Sequence, residues 1–220
     1  MIQPDEIIRS RRKTLAISID PFGRLIVRAP QTCSMERIFA FISEKESWIL
    51  RKKSQMVGAG TRLPPENLHG YTFLLLGQDC KIVLIDGKNI IFDEKNYVIY
   101  LPSKNAKTRL IKWLKENAKR IFTIVTERKA KEMGLTFQSL EISSAKGKWG
   151  SCSYDNKIRY AYRLIFAPKE MIEYVVVHEL AHVKEKNHSA KFWAVVEKYV
   201  PDWKVRRKWL KTHGYLLEIF

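Results

Sequence analysis

The sequence predicts an α+β fold, with a β-rich N-terminal module over residues 1–101 and a mixed helical and strand module over 102–220. Three observations carry that expectation. Short apolar runs bounded by turn formers fill the first hundred residues. A long stretch with helical periodicity begins after Pro102. Three of the chain's five histidines then fall inside eleven positions of "VVVHELAHVKEKNH", Val175 to His188, between a strand candidate and a further helix.

In the first module, "TLAISID", "RLIVRAP", "YTFLLLG", "CKIVLIDG" and "NYVIYLP" read as strands. "DPFG" and "DG" between them suggest antiparallel hairpins. A helical insertion, "SMERIFAFISEKESWILRKKSQM", interrupts the series. After Pro102, the spacing of Leu110, Ile111, Leu114, Ile121 and Val125 predicts one long or two broken helices ending at Gly134, where glycine suits a C-cap. "TFQSLEISSA" and "KIRYAYRLIFA" then read as strands flanking "KGKWGSCSYDN", and the histidine-bearing helix follows Pro168.

Composition bounds the function. With 45% hydrophobic residues, including six Trp, ten Phe and nine Tyr among 220 residues, the chain can bury a substantial core. The net charge of +17 is uneven: 15 Lys and Arg face 11 Asp and Glu in Met1–Tyr100, against 25 and 12 in Leu101–Phe220. Such an excess steers anionic partners, whether a protein tail, a nucleotide or nucleic acid. No helix-turn-helix spacing, zinc-finger cysteine set or phosphate-cradling glycine loop accompanies it, so nucleic-acid recognition ranks below enzymatic function. Cys33, Cys80 and Cys152 have no disulfide or thiolate-cluster spacing. The N-terminus lacks an extended apolar core, and no run is long enough to cross a bilayer. A reduced cytoplasmic protein without a membrane association is expected, its oligomeric state left open.

The histidines have a chemical reading. On a helix, His178 and His182 are one turn apart on one side, where both imidazoles reach one ion, and Glu179 lies beside them. This H-E-x-x-H arrangement holds zinc with two histidines and uses the glutamate as general base. Catalytic zinc wants a third protein ligand. His188 supplies it if the chain turns after about Lys186, with Asn187 tolerating a left-handed cap and Ser189 opening a new helix. Glu197 on that helix is the fallback ligand. Glu185 stands where the long zinc-protease motif has glycine.

Two further segments could contribute. Trp149 to Cys152 either line a cleft near the metal or form a tight turn with Trp149 as a core anchor; neither Ser151 nor Cys152 has a relay for covalent catalysis. Strand alternation puts Arg159, Ala161 and Arg163 on one face and Tyr160 and Tyr162 on the other, so an arginine or tyrosine there could stabilise an anionic intermediate.

"WGSCS", "RLIFAP", "YVVVHELAH" and "NHSAKFW" together resemble the YgjP-like metallopeptidase domain, a group related to SprT-like and zincin proteases. The resemblance implies a zincin-like core, zinc on His178, His182 and His188, Glu179 as base, and a peptide or protein substrate, and it favours Arg163 among the strand residues. Two positions depart from the family pattern: Lys148 replaces an arginine, and Ala161 an asparagine. Lysine lacks the guanidinium fork. Two alternative readings keep the metal: a nucleoside triphosphate pyrophosphohydrolase, and a nucleic-acid-associated binding protein holding zinc for stability.

Overall fold

A computed structural model describes residues 2–19, 23–57, 64–217 and 219–220, leaving Asp20 to Phe22 of the "DPFG" turn outside the described residues. The chain divides into two units, Met1–Leu63 and Pro64–Phe220. This division lies upstream of the boundary expected at residues 101 and 102. The cause is a shared core: Phe73, Ile82, Ile99 and Leu101 from the strands before Pro102 cluster with Leu110 and Leu114 of the long helix and with Phe166.

In the first unit, β1 (Glu6–Ser10), β2 (Ala16–Ile19) and β3 (Leu25–Pro30) form a sheet in the order β1-β3-β2. β3 alternates Leu25, Val27 and Ala29 into the core, where they meet Ile38 and Ile42 of α1 (Met35–Glu44) and Ile49 of α2 (Glu46–Val57). Ser34 caps α1 by accepting from the Arg37 amide at 3.3 Å. The predicted helical insertion is thus two helices, separated at Lys45, whose amide still donates to Phe41 and Ile42 carbonyls. β1 was not anticipated: it lacks alternation, and it pairs in parallel with β3, which no hairpin rule foresees.

The second unit opens with β4 (Thr72–Leu75), β5 (Gln78–Ile85), β6 (Ile91–Asp93) and β7 (Val98–Pro102), ordered β4-β5-β7-β6. The expected antiparallel hairpins hold for β4 with β5, whereas β5 and β7 run parallel because β6 turns back onto β7 at the edge. α3 (Ala106–Met133) is one unbroken helix of 28 residues, about 42 Å long at 1.5 Å per residue. Gly134 ends it at φ +66°, its amide donating to Ala130 and Lys131 carbonyls. A second sheet, β8-β10-β9, comprises β8 (Ser139–Ser143), β9 (Gly150–Cys152) and β10 (Lys157–Ala161).

The strand expected through Ala167 stops at Ala161 and continues as a 3-10 turn, Tyr162–Phe166, whose five residues are all buried. Because the run is buried throughout, Arg163 included, its pattern does not by itself distinguish a buried strand from a helical turn. α4 (Lys169–Lys184), α5 (Ala190–Tyr199) and α6 (Trp203–His213) complete the unit.

A charged network ties α4 to its neighbours. Glu173 of α4 accepts Lys129 of α3 at 3.0 Å and Arg206 of α6 at 3.3 Å, and Arg206 also donates to the Glu170 carbonyl at 2.9 Å. Burial pushes the Glu173 carboxyl up, but Lys129 and Arg206 outweigh it and hold the group below the usual carboxylate range. Among the described residues, no helix is long and apolar enough to cross a membrane.

Candidate metal centre

α4 buries Tyr174, Val175, Val176, Val177, Leu180 and Ala181, which fixes the helix axially and rotationally and leaves His178 and His182 together on one side. The helix ends at Lys184, and Glu185 is extended at φ −123° and ψ 99°. No left-handed residue is needed at Asn187, and glycine is dispensable at position 185, because the chain leaves the helix in extended form. Ser189 caps α5 as expected, its hydroxyl accepting from the Phe192 amide at 3.4 Å. This short return carries His188 back over the helix.

The three imidazoles converge. One ring nitrogen from each of His178, His182 and His188 lies within 4.8 Å of the others, and the Nε2 atoms of His178 and His188 are 3.1 Å apart. Ring centroids are separated by 5.1, 5.0 and 4.6 Å. Nitrogens held 2.0–2.1 Å from a tetrahedral zinc ion stand about 3.3 Å apart, so the set fits that ion. The chemistry of the donors fits as well. Burial, followed by the neighbouring His182, His188 and Arg207, lowers His178 to about 3. Burial also lowers His182, against the opposing effect of the Glu185 carbonyl. Both rings are thereby kept in the neutral form that binds metal. Glu197, the fallback ligand, is exposed on α5 and outside this cluster.

Supports differ among the three. His182 Nδ1 faces the Glu185 carbonyl at 3.1 Å, which selects the tautomer leaving Nε2 as the free electron pair. His178 Nδ1 is buried without a hydrogen-bond partner, and packing holds its ring edge-on to Phe192 at 4.9 Å and Tyr174 at 6.0 Å. His188 stacks on Trp193 at 5.7 Å, Trp193 stacks on Trp203 at 4.1 Å, and the Arg207 guanidinium lies 5.1 Å from the Trp193 ring. The exposed histidine is therefore braced by an aromatic column from α5 and α6.

Glu179, the next residue along α4 from His178, shares a cavity wall with it and is itself buried. It is only 5% exposed, and burial pushes its carboxyl up to about 8, with Lys148 pulling in the opposite direction. Gly150 of β9 lies against it: a Cβ there would sit 2.5 Å from Glu179 Oε1 and 2.7 Å from its Cγ. A cavity of about 380 Å³ opens beside His178 and Glu179, with Trp149, Tyr174, Val175 and Leu210 as its apolar wall and Lys148, Arg207 and Lys211 as its charged one.

Arg163 occupies a different place from the one strand alternation gave it. It sits in the 3-10 turn, donates to the Ser144 carbonyl at 3.1 Å and lies over the Tyr162 ring at 4.7 Å. It is not part of the cavity wall. Tyr160 is fully buried against Phe122, and its hydroxyl accepts a 3.3 Å hydrogen bond from the Thr126 hydroxyl. Cys152 is a free thiol whose pKa burial raises, the opposite of nucleophile activation. Trp149 serves both of its expected roles, packing on the core while lining the cavity. Arg207 and Lys211 are contained in the charge excess of Leu101–Phe220 without being singled out; their four-residue spacing with Leu210 between them is the available signal. Tyr174, one turn before His178, was legible in the same way.

A potential metal-binding histidine triad beside a buried glutamate, with two of its rings on a helix packed against a small mixed sheet and the third on the turn that follows, defines a metallopeptidase-like protein. The YgjP-like metallopeptidase domain matches residues 13–213, and the chain belongs to that family. The architecture is accordingly zincin-like, with a β-rich N-terminal module and a helical core. No curated protein matches the chain. Among solved structures, it is similar to the metallopeptidase zymogen of Pyrococcus abyssi abylysin, at 26% identity and a TM-score of 0.38 over 41% of this chain and 93% of that one. It is also similar to the metallopeptidase zymogen of Methanocaldococcus jannaschii jannalysin, at 21% identity and a TM-score of 0.36 over 40% and 93%.

Proposed function

We propose that the protein is a zinc-dependent metallopeptidase in which His178, His182 and His188 hold the ion and Glu179 is the catalytic base. The observation carrying this reading is the convergence of three imidazoles beside a buried carboxyl that opens onto a cavity. A bound zinc ion supplies Lewis acidity, acidifying water and polarising a carbonyl. Glu179 takes the proton from the attacking water and returns it to the leaving amine. Its raised proton affinity, caused by burial and opposed by Lys148, suits the return step. Tyr174 and Trp149 shape the cavity and exclude water. Arg163 enters as a positioning residue, tethering the Ser144 segment upstream of Trp149 through its hydrogen bond. The setting we propose is the reduced cytoplasm, on the ground that Cys33, Cys80 and Cys152 have no disulfide-framework spacing.

The test combines metal analysis with a matched screen of peptides and nucleoside triphosphates. Native protein should carry about one zinc per chain, and His178→Ala or His182→Ala should lose most of it. Glu179→Gln should keep the metal while peptide hydrolysis falls at least roughly a hundredfold. Triphosphate hydrolysis without peptide cleavage would instead favour the pyrophosphohydrolase, and zinc without either activity the binding protein.

A further inference from the structure

The cavity beside Glu179 has a chemical bias that the proposed peptidase activity does not require. Lys148 enters it from the segment before β9, while Arg207 and Lys211, one turn apart on α6, enter it from another element. Among the described residues, Glu179 is the single acidic one on the wall. No ion pair engages Lys148, Arg207 or Lys211 among the described residues. The contrast with adjacent Arg206 is direct, since that side chain is spent on Glu173 and Asp202. Arg207 is instead oriented by its stacking on Trp193. Two elements far apart in sequence thus bring cations with no ion-pair partner among the described residues to one largely apolar recess, at the lower end of the size range of ligand pockets.

We infer that this cavity is a subsite for a carboxylate carried by the substrate next to the bond that is cut, supplied by an Asp or Glu side chain or by the peptide's own C-terminus. The inference rests on the peptidase reading of the neighbouring histidines and Glu179. The apolar wall formed by Trp149, Val175 and Leu210 takes the methylene or backbone portion of that residue. The cations meet its charge where the low-dielectric wall weakens screening.

The experiment uses zinc-loaded full-length protein and a peptide set matched except for Glu, Gln or Lys on either side of the cleaved bond, each with a free or amidated C-terminus. Wild type should prefer the carboxylate-bearing member by on the order of tenfold in kcat/KM, and the preference should shrink with added salt. Lys148→Glu and Lys211→Glu should each abolish or invert it. The Glu and Gln pair identifies a side-chain source; the free and amidated pair identifies the C-terminus. Calorimetric binding of the same peptides to zinc-loaded Glu179→Gln supplies a readout independent of turnover. Equal handling of charged and neutral peptides, unaltered by the reversals, overturns the subsite while leaving the peptidase intact. Charge-selective binding that the reversals remove, with no cleavage of any peptide, upholds the subsite and overturns the peptidase. Binding of nucleoside triphosphates with indifference to peptides overturns both.

Discussion

Replacing Gly150 with alanine should disable the centre without touching a metal ligand. The new Cβ would lie 2.5 Å from Glu179 Oε1, 2.7 Å from Cγ and 2.8 Å from Cδ, all inside the distance at which real Cβ atoms are found. Glu179 is anchored by a helix whose Val175, Val176, Val177, Leu180 and Ala181 are buried, so its backbone cannot retreat and the carboxyl must swing by about 1 Å to restore van der Waals separation. A displacement of that size costs about a hundredfold in rate, or about 2.7 kcal/mol of transition-state stabilisation. Overpacking should also remove about 1–3 kcal/mol of stability. The assay is kcat/KM on a substrate the wild type cleaves, with zinc content measured in parallel and expected to be unchanged. A double-mutant cycle in urea supplies a check that needs no substrate: in a Glu179→Ala background the obstruction is gone, and Gly150→Ala should cost little. Equal destabilisation in both backgrounds, or wild-type turnover by Gly150→Ala, would refute the steric argument.

Other outcomes follow from the same structure. His188→Ala should lose zinc under mild chelation that Glu197→Ala withstands, both variants being folded by circular dichroism; normal retention by His188→Ala would reassign the third ligand. In metal-free protein, the Glu179 carboxyl is raised to about 8, so the folded state binds its proton more tightly than the unfolded chain. Its stabilisation is complete below the unfolded value near 4.5 and disappears as pH rises through about 8. Chelated Glu179→Gln should lack this loss, which amounts to roughly 3–5 kcal/mol, and thermal melts from pH 5 to 9 measure it. Glu173→Ala leaves the nearly buried Lys129 and Arg206 short of a partner and should cost about 2 kcal/mol, lowering Tm by roughly 4–8 °C. Because the Glu173 carboxyl is depressed, its stabilisation is present above the unfolded carboxylate value and is lost as pH falls through the folded one, so the variant and wild type should converge in acid.

What the sequence determined by itself was local. The four-residue step from His178 to His182 needs only helical geometry, and the apolar residues around it ensure the helix. Ser189 as a cap and Gly134 as a terminator act within a few residues of themselves, so both were readable. The β-rich opening was visible from alternation, and the specific motif combination carried the family. What only the tertiary structure decided involves partners distant along the chain. Parallel pairing of β1 with β3 and of β5 with β7 leaves no turn signature, and the shared core of β4–β7 with α3 moves the domain boundary upstream. Arg163 left its expected face because the strand ends at Ala161 and the chain continues as a buried 3-10 turn, which sequence alternation does not distinguish from a buried strand. His188 reaches the cluster, and Glu197 does not, because an extended Glu185 redirects the chain. The approach of Gly150 to Glu179, and of Lys148 to Arg207 and Lys211, brings together residues roughly thirty and sixty positions apart, a juxtaposition that no periodicity encodes because it depends on how the second sheet and α6 pack around α4.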